Sequence, residues 1–250
     1  MRPDQLFDHV VCAVDGTPAS AEAARQADLL SPAGRTLHVI TVVTEAKLGS
    51  GPGYALSSGD WQQRLQPALD ALPAERTVET APIFHPGPPA DALVDELARR
   101  KATLVVVGSH DHRRLPGILL GSVATALLHE APCSVLITRL DHEQPRSIRT
   151  LAAGYDGSAA ADAAHAVAER LVARLRIPLT VVVADDAQPP PSTGGEVRVD
   201  PRPAVDALID AGCDLLVLGS RGLRGVAALG SVSERVAHTA HASVLVLRPE

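Results

Sequence analysis

The sequence predicts an α/β fold of two tandem doubly wound domains, each with a mostly parallel five-stranded sheet. Short apolar runs alternate with segments whose apolar residues recur at helical spacing, a pattern typical of parallel strands joined by helices. A strand, a glycine loop, a helix and a further strand then recur in the same order, which indicates an internal duplication. The length of 250 residues allows one large domain or two small ones, and the duplication favours two.

The repeat is clearest where apolar runs end at Gly-Ser pairs. In both copies a second Gly-Ser pair opens an apolar helix-like segment, and the distance from its glycine to a histidine is identical. The matched features are the runs 105–107 and 216–218, the pairs Gly108-Ser109 and Gly219-Ser220, the pairs Gly121-Ser122 and Gly230-Ser231, His129 and His238, and the strands 134–137 and 243–246.

In the first half, the strand Val10–Val14 is a continuous apolar run, the form taken by parallel strands buried on both faces. It is closed by Asp15-Gly16-Thr17. The stretch 49–59 is rich in glycine and serine and is predicted to be a loop. The predicted strands are 10–14, 37–43, 77–84, 104–107 and 134–138, and the predicted helices are 20–30, 61–72, 90–100 and 119–129.

A polar linker, Leu140–Arg149, precedes the second half, so domains are expected at 1–141 and 147–250. The turn Asp156-Gly157-Ser158 matches the first-half turn. The stretch 189–195 contains three prolines and cannot form a helix, so this half is expected to lack the equivalent of helix 61–72. The predicted strands are 150–155, 179–184, 197–199, 215–218 and 243–247, and the predicted helices are 161–175, 203–211 and 232–240.

Composition excludes several classes of function. The formal charge of −6 argues against a nucleic-acid-binding surface, which normally carries a basic excess. No apolar run approaches the length of a membrane span, and the N-terminus has no signal-peptide core, so a cytoplasmic protein without membrane contact is expected. The three cysteines form no CxxC pair and no cluster with histidine, which favours buried free thiols over a metal site.

The residues that carry chemistry lie at the carboxyl ends of predicted strands, where open α/β sheets bind ligands. Asp15 and Gly108 hold such positions in the first half, and Asp156 and Gly219 hold them in the second. A Gly-Ser pair at a helix start offers unpaired backbone N–H groups and a hydroxyl to an anion. These features indicate a nucleotide site. The alternative is that the glycines make tight turns, the serines cap helices and the aspartates bond their own loops.

The whole chain, apart from the shortened middle of its second half, resembles a tandem universal stress protein. The signature of that family is glycine, two residues, glycine, nine residues, then glycine with serine or threonine. The first half fits in length from Gly108 to Gly121-Ser122, but Asp111 replaces the second glycine. The second half keeps Gly219 and Gly222, but only seven residues precede Gly230-Ser231.

This resemblance implies an adenine nucleotide alpha hydrolase-like fold and an ATP site, with or without Mg²⁺. In nucleotide-binding members the signature loop wraps the phosphates and ribose, the first-strand aspartate lies near the base, and a second-strand residue contacts the base. The implied binding positions are Asp15, Val42, Gly108, Gly121, Ser122 and Val123 in the first half, and Asp156, Ala184, Gly219, Gly222, Gly230, Ser231 and Val232 in the second.

The departures from the signature weaken binding on physical grounds. Asp111 brings a carboxylate toward phosphate, a repulsion that His112, Arg113 and Arg114 offset or that a metal ion accompanying the phosphates relieves. In the second half, Arg221 and Arg224 supply positive charge, and Gly222 and Gly225 leave the backbone open, but the shorter loop encloses less of a triphosphate.

Other sites have weaker signals. Neither a Walker A motif, GxGxxG nor a Gly-x-Ser-x-Gly elbow occurs. His129 and His238 are expected to cap helix ends. His110 and His112 have metal-pair spacing but lack an evident third ligand. No general base is positioned, so slow ATP hydrolysis is the most enzyme activity expected.

The resemblance therefore implies an ATP-binding stress-response module whose occupancy alters contacts with an unidentified regulatory protein. The alternatives are a regulatory or scaffolding member that binds no nucleotide and a sensor of another small ligand. In this family the last strand of one domain pairs with its counterpart, so the strands 134–138 and 243–247 are expected to form an intramolecular pseudo-dimer. The sequence leaves open whether two such chains form a homodimer.

Overall fold

The computed structural model describes residues 6–44, 58–109, 120–140, 144–184, 187–191, 193–220 and 231–248, with the backbone alone described at 58–60, 184 and 231. In the first half, strands and helices alternate along the chain. The strands are β1 (Val10–Ala13), β2 (Leu37–Thr44), β3 (Val78–His85), β4 (Leu104–Gly108) and β5 (Ser134–Thr138). The helices are α1 (Pro18–Leu30), α2 (Ser58–Asp70), α3 (Pro89–Arg100) and α4 (Ser122–Glu130).

The second half repeats the order without a counterpart of α2 in the part of the chain that is described. Its strands are β6 (Leu151–Tyr155), β7 (Leu179–Ala184), β8 (Glu196–Asp200), β9 (Leu215–Gly219) and β10 (Ser243–Leu247). Its helices are α5 (Ala159–Leu175), α6 (Ala204–Ile209) and α7 (Ser231–Thr239). The described residues between β7 and β8, 187–191 and 193–195, contain no helix, and three of them, 189–191, are proline.

Across the described residues, ten strands form one sheet in the order β3-β2-β1-β4-β5-β10-β9-β6-β7-β8. Neighbouring strands are parallel within each half, as β1 and β4 show with Val10 opposite Leu104. At the centre β5 and β10 pair antiparallel, with Leu136 opposite Leu245. The predicted α/β fold and the predicted pairing of the two last strands are confirmed, and a pseudo-twofold axis relates the halves.

Helices cover both faces of the sheet, as the doubly wound prediction requires. Alternate strand residues point to opposite sides, so Cys12 joins the cluster beneath α1, α2 and α5, whereas Val11 joins the cluster beneath α3, α4, α6 and α7. Small residues such as Ala23 and Ala27 let α1 lie close to the sheet, and both are fully buried. Burial of Leu30 at the end of α1 contributes about 1.5–3 kcal/mol.

Helix starts are fixed by side-chain caps that apolar spacing does not reveal. Helix α1 begins at Pro18 rather than the predicted Ser20, because Thr17 accepts a hydrogen bond from the Ser20 N–H and proline suits the first helical position. Helix α5 begins at Ala159 rather than 161, because Ser158 accepts from the Ala161 N–H. The two caps follow the aspartate turns at equivalent positions of the repeat.

Two arginines join the halves reciprocally. The Arg139 guanidinium, which follows β5, donates to the Ala237 carbonyl at the end of α7 over 2.6 Å. The Arg248 guanidinium, which follows β10, donates to the Leu128 carbonyl at the end of α4, also over 2.6 Å. Each satisfies a helix carbonyl that lacks an intrahelical partner, so each half caps a helix of the other.

Candidate functional site

Each aspartate that follows the first strand of a half is bonded into its own turn. The Asp15 Oδ1 atom accepts from the Thr17 N–H at 3.1 Å and from the Thr17 hydroxyl at 2.7 Å. In the second half, Asp156 Oδ1 accepts from the Ser158 N–H at 3.0 Å. The next residue in each turn is a glycine. Gly16 has a φ of +89° and Gly157 a φ of +75°, which glycine tolerates without strain. The turn-forming role considered for both aspartates is therefore observed.

The glycines that end β4 and β9 allow a helix to approach the sheet. A Cβ atom on Gly108 would lie 2.6 Å from the Ala19 carbonyl oxygen in α1. A Cβ atom on Gly219 would clash in the same way with the Ala160 carbonyl oxygen in α5. These glycines therefore have a packing role that is independent of any ligand, and they bring the first turn of each helix to the end of its central strand.

The start of α4 presents backbone N–H groups without a side-chain cap. Gly121 is the N-cap residue and has no side chain to bond them. Its carbonyl accepts from the Thr125 N–H, which begins the helical ladder. The first turn, with Ser122, Val123 and Ala124, lines a cleft at the carboxyl edge of the sheet. A helix N-terminus carries roughly half a positive charge, so this wall favours an anion.

The first-half cleft brings together all six predicted positions of that half. It has a volume of about 240 Å³ and opens between β1, β2, β4 and the first turn of α4. The predicted residues that line it are Asp15, Val42, Gly108, Gly121, Ser122 and Val123. These residues come from four separate stretches of sequence, and the switch point between β1 and β4 is where open α/β sheets place their ligands.

One lining residue, Arg64 in α2, was not predicted. Its guanidinium donates to the Val42 carbonyl at 3.4 Å, a long contact compared with an ordinary hydrogen bond. Its Cα atom lies 3.2 Å from where a Cβ atom on Gly16 would be, so α2 rests on the turn after β1. Arg64 is the one basic residue between 61 and 72, but its place in the cleft follows from the packing of α2 rather than from the sequence pattern.

The second-half cleft is smaller and has a different character. Its volume is about 100 Å³, and the predicted positions Asp156, Gly219 and Val232 line it. Leu208 and Leu218 both approach Gly154 at its floor, with side-chain carbons within 3.1 Å of where a glycine Cβ would be. The described lining residues of this cleft include no cation.

A second carboxylate, Asp200 at the end of β8, also lines the smaller cleft. Its side chain is only 7% exposed and pairs with Arg198 at 2.7 Å and with Arg202 at 2.9 Å. Hydrogen bonds from these two guanidinium groups lower the pKa of Asp200, so it remains ionised at neutral pH. The first half has His85 at the equivalent strand end.

Several predicted positions have limited or no structural description. Ala184 ends β7 and Ser231 begins α7, but only their backbones are described. The positions that lie outside the described residues are the loop 49–57, His110, Asp111, His112, Arg113, Arg114, Arg221, Gly222, Arg224, Gly225 and Gly230.

The two histidines at equivalent positions of the repeat, His129 and His238, lie in the last turns of α4 and α7, at the interface of the halves. His129 Nε2 lies 3.3 Å from Glu234 Oε1 across that interface. Burial lowers the pKa of His238, and the charge of Glu234 partly opposes this effect. In the part of the chain that is described, no group of three potential ligands could hold a metal ion, and no helix has the length and apolarity to cross a bilayer.

Comparison with known proteins supplies the family context. The sequence model of the universal stress protein family matches residues 6–139 and 196–248 of this chain. A universal stress protein of Mycobacterium tuberculosis strain H37Rv is 27% identical over 290 residues, covering 96% of each chain. A universal stress protein of Mycolicibacterium smegmatis is 32% identical over 195 residues, covering 64% of this chain and 66% of that protein.

Solved structures agree with the fold. The crystal structure of a universal stress protein from Archaeoglobus fulgidus aligns with a TM-score of 0.69 at 20% identity, covering 96% of each chain. A crystal structure from Pseudomonas aeruginosa aligns with a TM-score of 0.72 at 18% identity, covering 99% of this chain and 95% of that one. At these identities the likeness extends to the fold over nearly the whole chain.

Proposed function

Because the chain belongs to the universal stress protein family, we propose that it is a nucleotide-responsive binding module whose first-half cleft takes ATP. The observation that carries this proposal is the convergence of six predicted positions on one cleft of about 240 Å³. Small-molecule sites usually occupy about 300–1,000 Å³, so the cleft approaches the size of a ligand pocket.

Charge supports an anionic ligand in the first half. The uncapped first turn of α4 forms one wall, and Arg64 is a cation among the described lining residues. Asp15 also lines the cleft, but its carboxylate already accepts two hydrogen bonds from Thr17. We propose that the phosphates lie against the start of α4 and that the base lies near Val42 and Asp15.

The contact between Arg64 and Val42 suggests how nucleotide binding in the cleft could change the surface that α2 presents. A base that bonds the Val42 backbone would compete with Arg64 for the same carbonyl, and the 3.4 Å contact is weak enough to exchange. Helix α2 carries Arg64 and packs on α1 and β2. We propose that nucleotide binding moves the Arg64 guanidinium from the Val42 carbonyl to the phosphates and that α2 shifts with it. A regulatory protein partner would then recognise the shifted helix. Binding, rather than catalysis, is the proposed activity.

The second half is proposed to support the first without binding nucleotide. Its cleft of about 100 Å³ is well below ligand size, and its described lining residues include Asp156 and the ion-paired Asp200 but no cation. We propose domains at 1–141 and 147–250, the second serving as a permanent partner for the central strand pairing.

A thermal-shift titration of the full chain with ATP, with and without Mg²⁺, tests the proposal. Ligand that binds only the folded state raises Tm, so ATP at millimolar concentration should stabilise the protein. Arg64→Ala should weaken ATP binding about tenfold, equivalent to about 1.4 kcal/mol, and should affect adenosine less because adenosine carries no charge. No stabilisation at millimolar ATP would contradict the proposal.

A second candidate function is a scaffolding member with both clefts empty. The observation that favours it is that Asp15 and Gly108 are each explained without a ligand, by the turn with Thr17 and by the approach of Ala19. If this alternative holds, Arg64→Ala changes only the stability of the protein. ATP then raises the Tm of neither the unaltered protein nor the Arg64→Ala variant. The same titration therefore separates the two candidates.

A further inference from the structure

The outer strand of the second half, β8, has an open edge within the described part of the chain. It pairs with β7 on one side and ends the ten-stranded sheet on the other. Helices α5 and α6 pack on β7 and on strands further inside the sheet. Val197 remains 38% exposed and Val199 53% exposed. Unpaired backbone N–H and C=O groups beside exposed apolar side chains form a template for a further strand.

The strand at the other end of the sheet, β3, is closed to such pairing by a proline. The Thr77 carbonyl accepts from the Leu37 N–H of β2, so alternate residues from 77 onward face β2 and Pro82 faces outward. Proline has no N–H to donate to a further strand, and natural sheets use it in this way to block their edges.

The equivalent position of β8 carries a valine. Pro82 pairs with the fifth residue of β2, and Val199 pairs with the fifth residue of β7. By the internal repeat, the backbone groups of Val199 and Val197 therefore face outward, as those of Pro82 do. The edge of β8 thus keeps the N–H donors that the edge of β3 has lost.

The sequence of β8 is complementary to itself when two copies of the strand run antiparallel. If Val197 lies opposite Val197 of a second copy, Glu196 of each copy lies opposite Arg198 of the other. Opposite charges placed directly across a strand pair stabilise it. Because the backbone groups of Val197 face outward, the two copies exchange both hydrogen bonds at this central pair.

Other registers of the same pairing are less favourable. Centring the pair on Arg198 places this residue opposite itself and Glu196 opposite Asp200, so like charges meet. Centring it two residues beyond Val197 brings Val197 opposite Pro201, which has no N–H to donate. Charge and backbone donors therefore select the register centred on Val197.

Arg198 can turn toward a second copy without leaving Asp200 unpaired. Asp200 accepts from Arg198 Nη2 at 2.7 Å, but it also accepts from Arg202 Nη2 at 2.9 Å and from Arg202 Nε at 3.0 Å. The Arg198 side chain is 34% exposed, and Glu196 is exposed. Both charged groups of the self-complementary pair are thus accessible at the edge.

We propose that two copies of this chain associate through β8, antiparallel and with Val197 at the twofold axis, so that their sheets become continuous. The contact uses the same edge of both copies, and Pro82 closes the remaining edges, so association stops at the dimer. The paired strands are short, so the dimer is weak and depends on concentration. The interface is independent of the proposed nucleotide cleft, which lies in the other half.

Sedimentation velocity of the full chain from micromolar to millimolar concentration tests this inference. The weight-average sedimentation coefficient should rise with concentration and level off at the value of a dimer. Val197→Lys places two ammonium groups opposite each other and should weaken dimerisation about tenfold or more. Thr80→Lys is the matched control, because Thr80 is exposed at the equivalent position of β3. This variant should dimerise as the unaltered protein does.

Charge reversal tests the register itself. Glu196→Arg and Arg198→Glu should each weaken dimerisation about tenfold, because each sets like charges opposite each other. The double variant restores opposite charges and should dimerise within about threefold of the unaltered protein. Circular dichroism checks the fold of each variant, and Val197→Lys keeps the test valid if a charge variant folds poorly.

Four results would overturn the proposal. They are a chain that stays monomeric at millimolar concentration, growth beyond the dimer, a dimer that Val197→Lys leaves unchanged, and a folded double variant that dimerises as weakly as either single variant.

Discussion

Replacing Gly108 with alanine tests the close approach of α1 to the end of β4. The new Cβ atom would lie 2.6 Å from the Ala19 carbonyl oxygen and 2.7 Å from the Ala19 carbonyl carbon. Non-bonded carbon atoms normally stay about 3.5–4.0 Å from their neighbours. The atoms opposed to the new methyl group belong to the backbone of a helix, so a rotamer change cannot relieve the clash.

The start of α1 must therefore move by roughly 1 Å, away from a sheet on which Ala23, Ala24 and Ala27 are fully buried. Overpacking of this kind usually costs about 1–3 kcal/mol. For a chain of this size, about 1 kcal/mol changes Tm by about 2–4 °C, so Gly108→Ala should lower Tm by about 2–12 °C. Gly219→Ala should lower it similarly, because the Ala160 backbone opposes it in the same way.

Chemical and thermal unfolding followed by circular dichroism would measure the effect. Gly194→Ala is the matched control, because nothing lies within 4 Å of its added Cβ atom and its φ is not in the left-handed region. It should be neutral or stabilise by about 0.4–1 kcal/mol through the unfolded chain. If Gly108→Ala were as stable as Gly194→Ala, the packing argument would be wrong, and a ligand role for this glycine would be the better explanation.

Three further predictions concern buried polar groups. Arg139→Ala should lower the free energy of unfolding by about 1–3 kcal/mol in urea titration, because it leaves the Ala237 carbonyl unsatisfied at the interface of the halves; unchanged stability would contradict the reciprocal capping. Cys12 and Cys133 should resist alkylation by iodoacetamide at pH 8 until the chain unfolds, because burial raises both thiol pKa values; rapid native labelling would refute this. Asp200→Asn should be less stable than the unaltered protein at pH 7. This difference should shrink as pH falls below about 4 through the lowered pKa of Asp200, and a difference independent of pH would contradict the ion pairing.

Much of the architecture was predictable because a duplicated sequence gives two independent views of the same element. The apolar runs before Gly108 and Gly219 could be interpreted together, and the central pairing of the last strands followed from the family resemblance. The exact starts of α1 and α5 were less accessible, because apolar spacing marks the buried face of a helix rather than its cap. The capping side chains Thr17 and Ser158 set those starts.

The site was predictable only where neighbouring strands end. Asp15 and Gly108 could be placed at one edge because parallel strands share a direction. Arg64 could not be placed in the cleft from the sequence, because its position there depends on how α2 packs across the turn at Gly16. The unequal sizes of the two clefts were also hidden, since they depend on how Leu208 and Leu218 pack around Gly154.

We propose that the duplicated chain keeps a nucleotide site in its first half alone. Val123 and Val232 occupy equivalent positions in the first turns of α4 and α7, and both are partly buried. A glutamate at either position suits the helix dipole but places a carboxylate in the adjoining cleft. These two substitutions therefore form a matched pair that alters one cleft at a time.

Native mass spectrometry with ATP measures occupancy directly. We expect one bound nucleotide per chain in the unaltered protein and in Val232→Glu, and none in Val123→Glu. Loss of the nucleotide in Val232→Glu with retention in Val123→Glu would contradict it, as would an unaltered protein that carries no nucleotide at millimolar ATP.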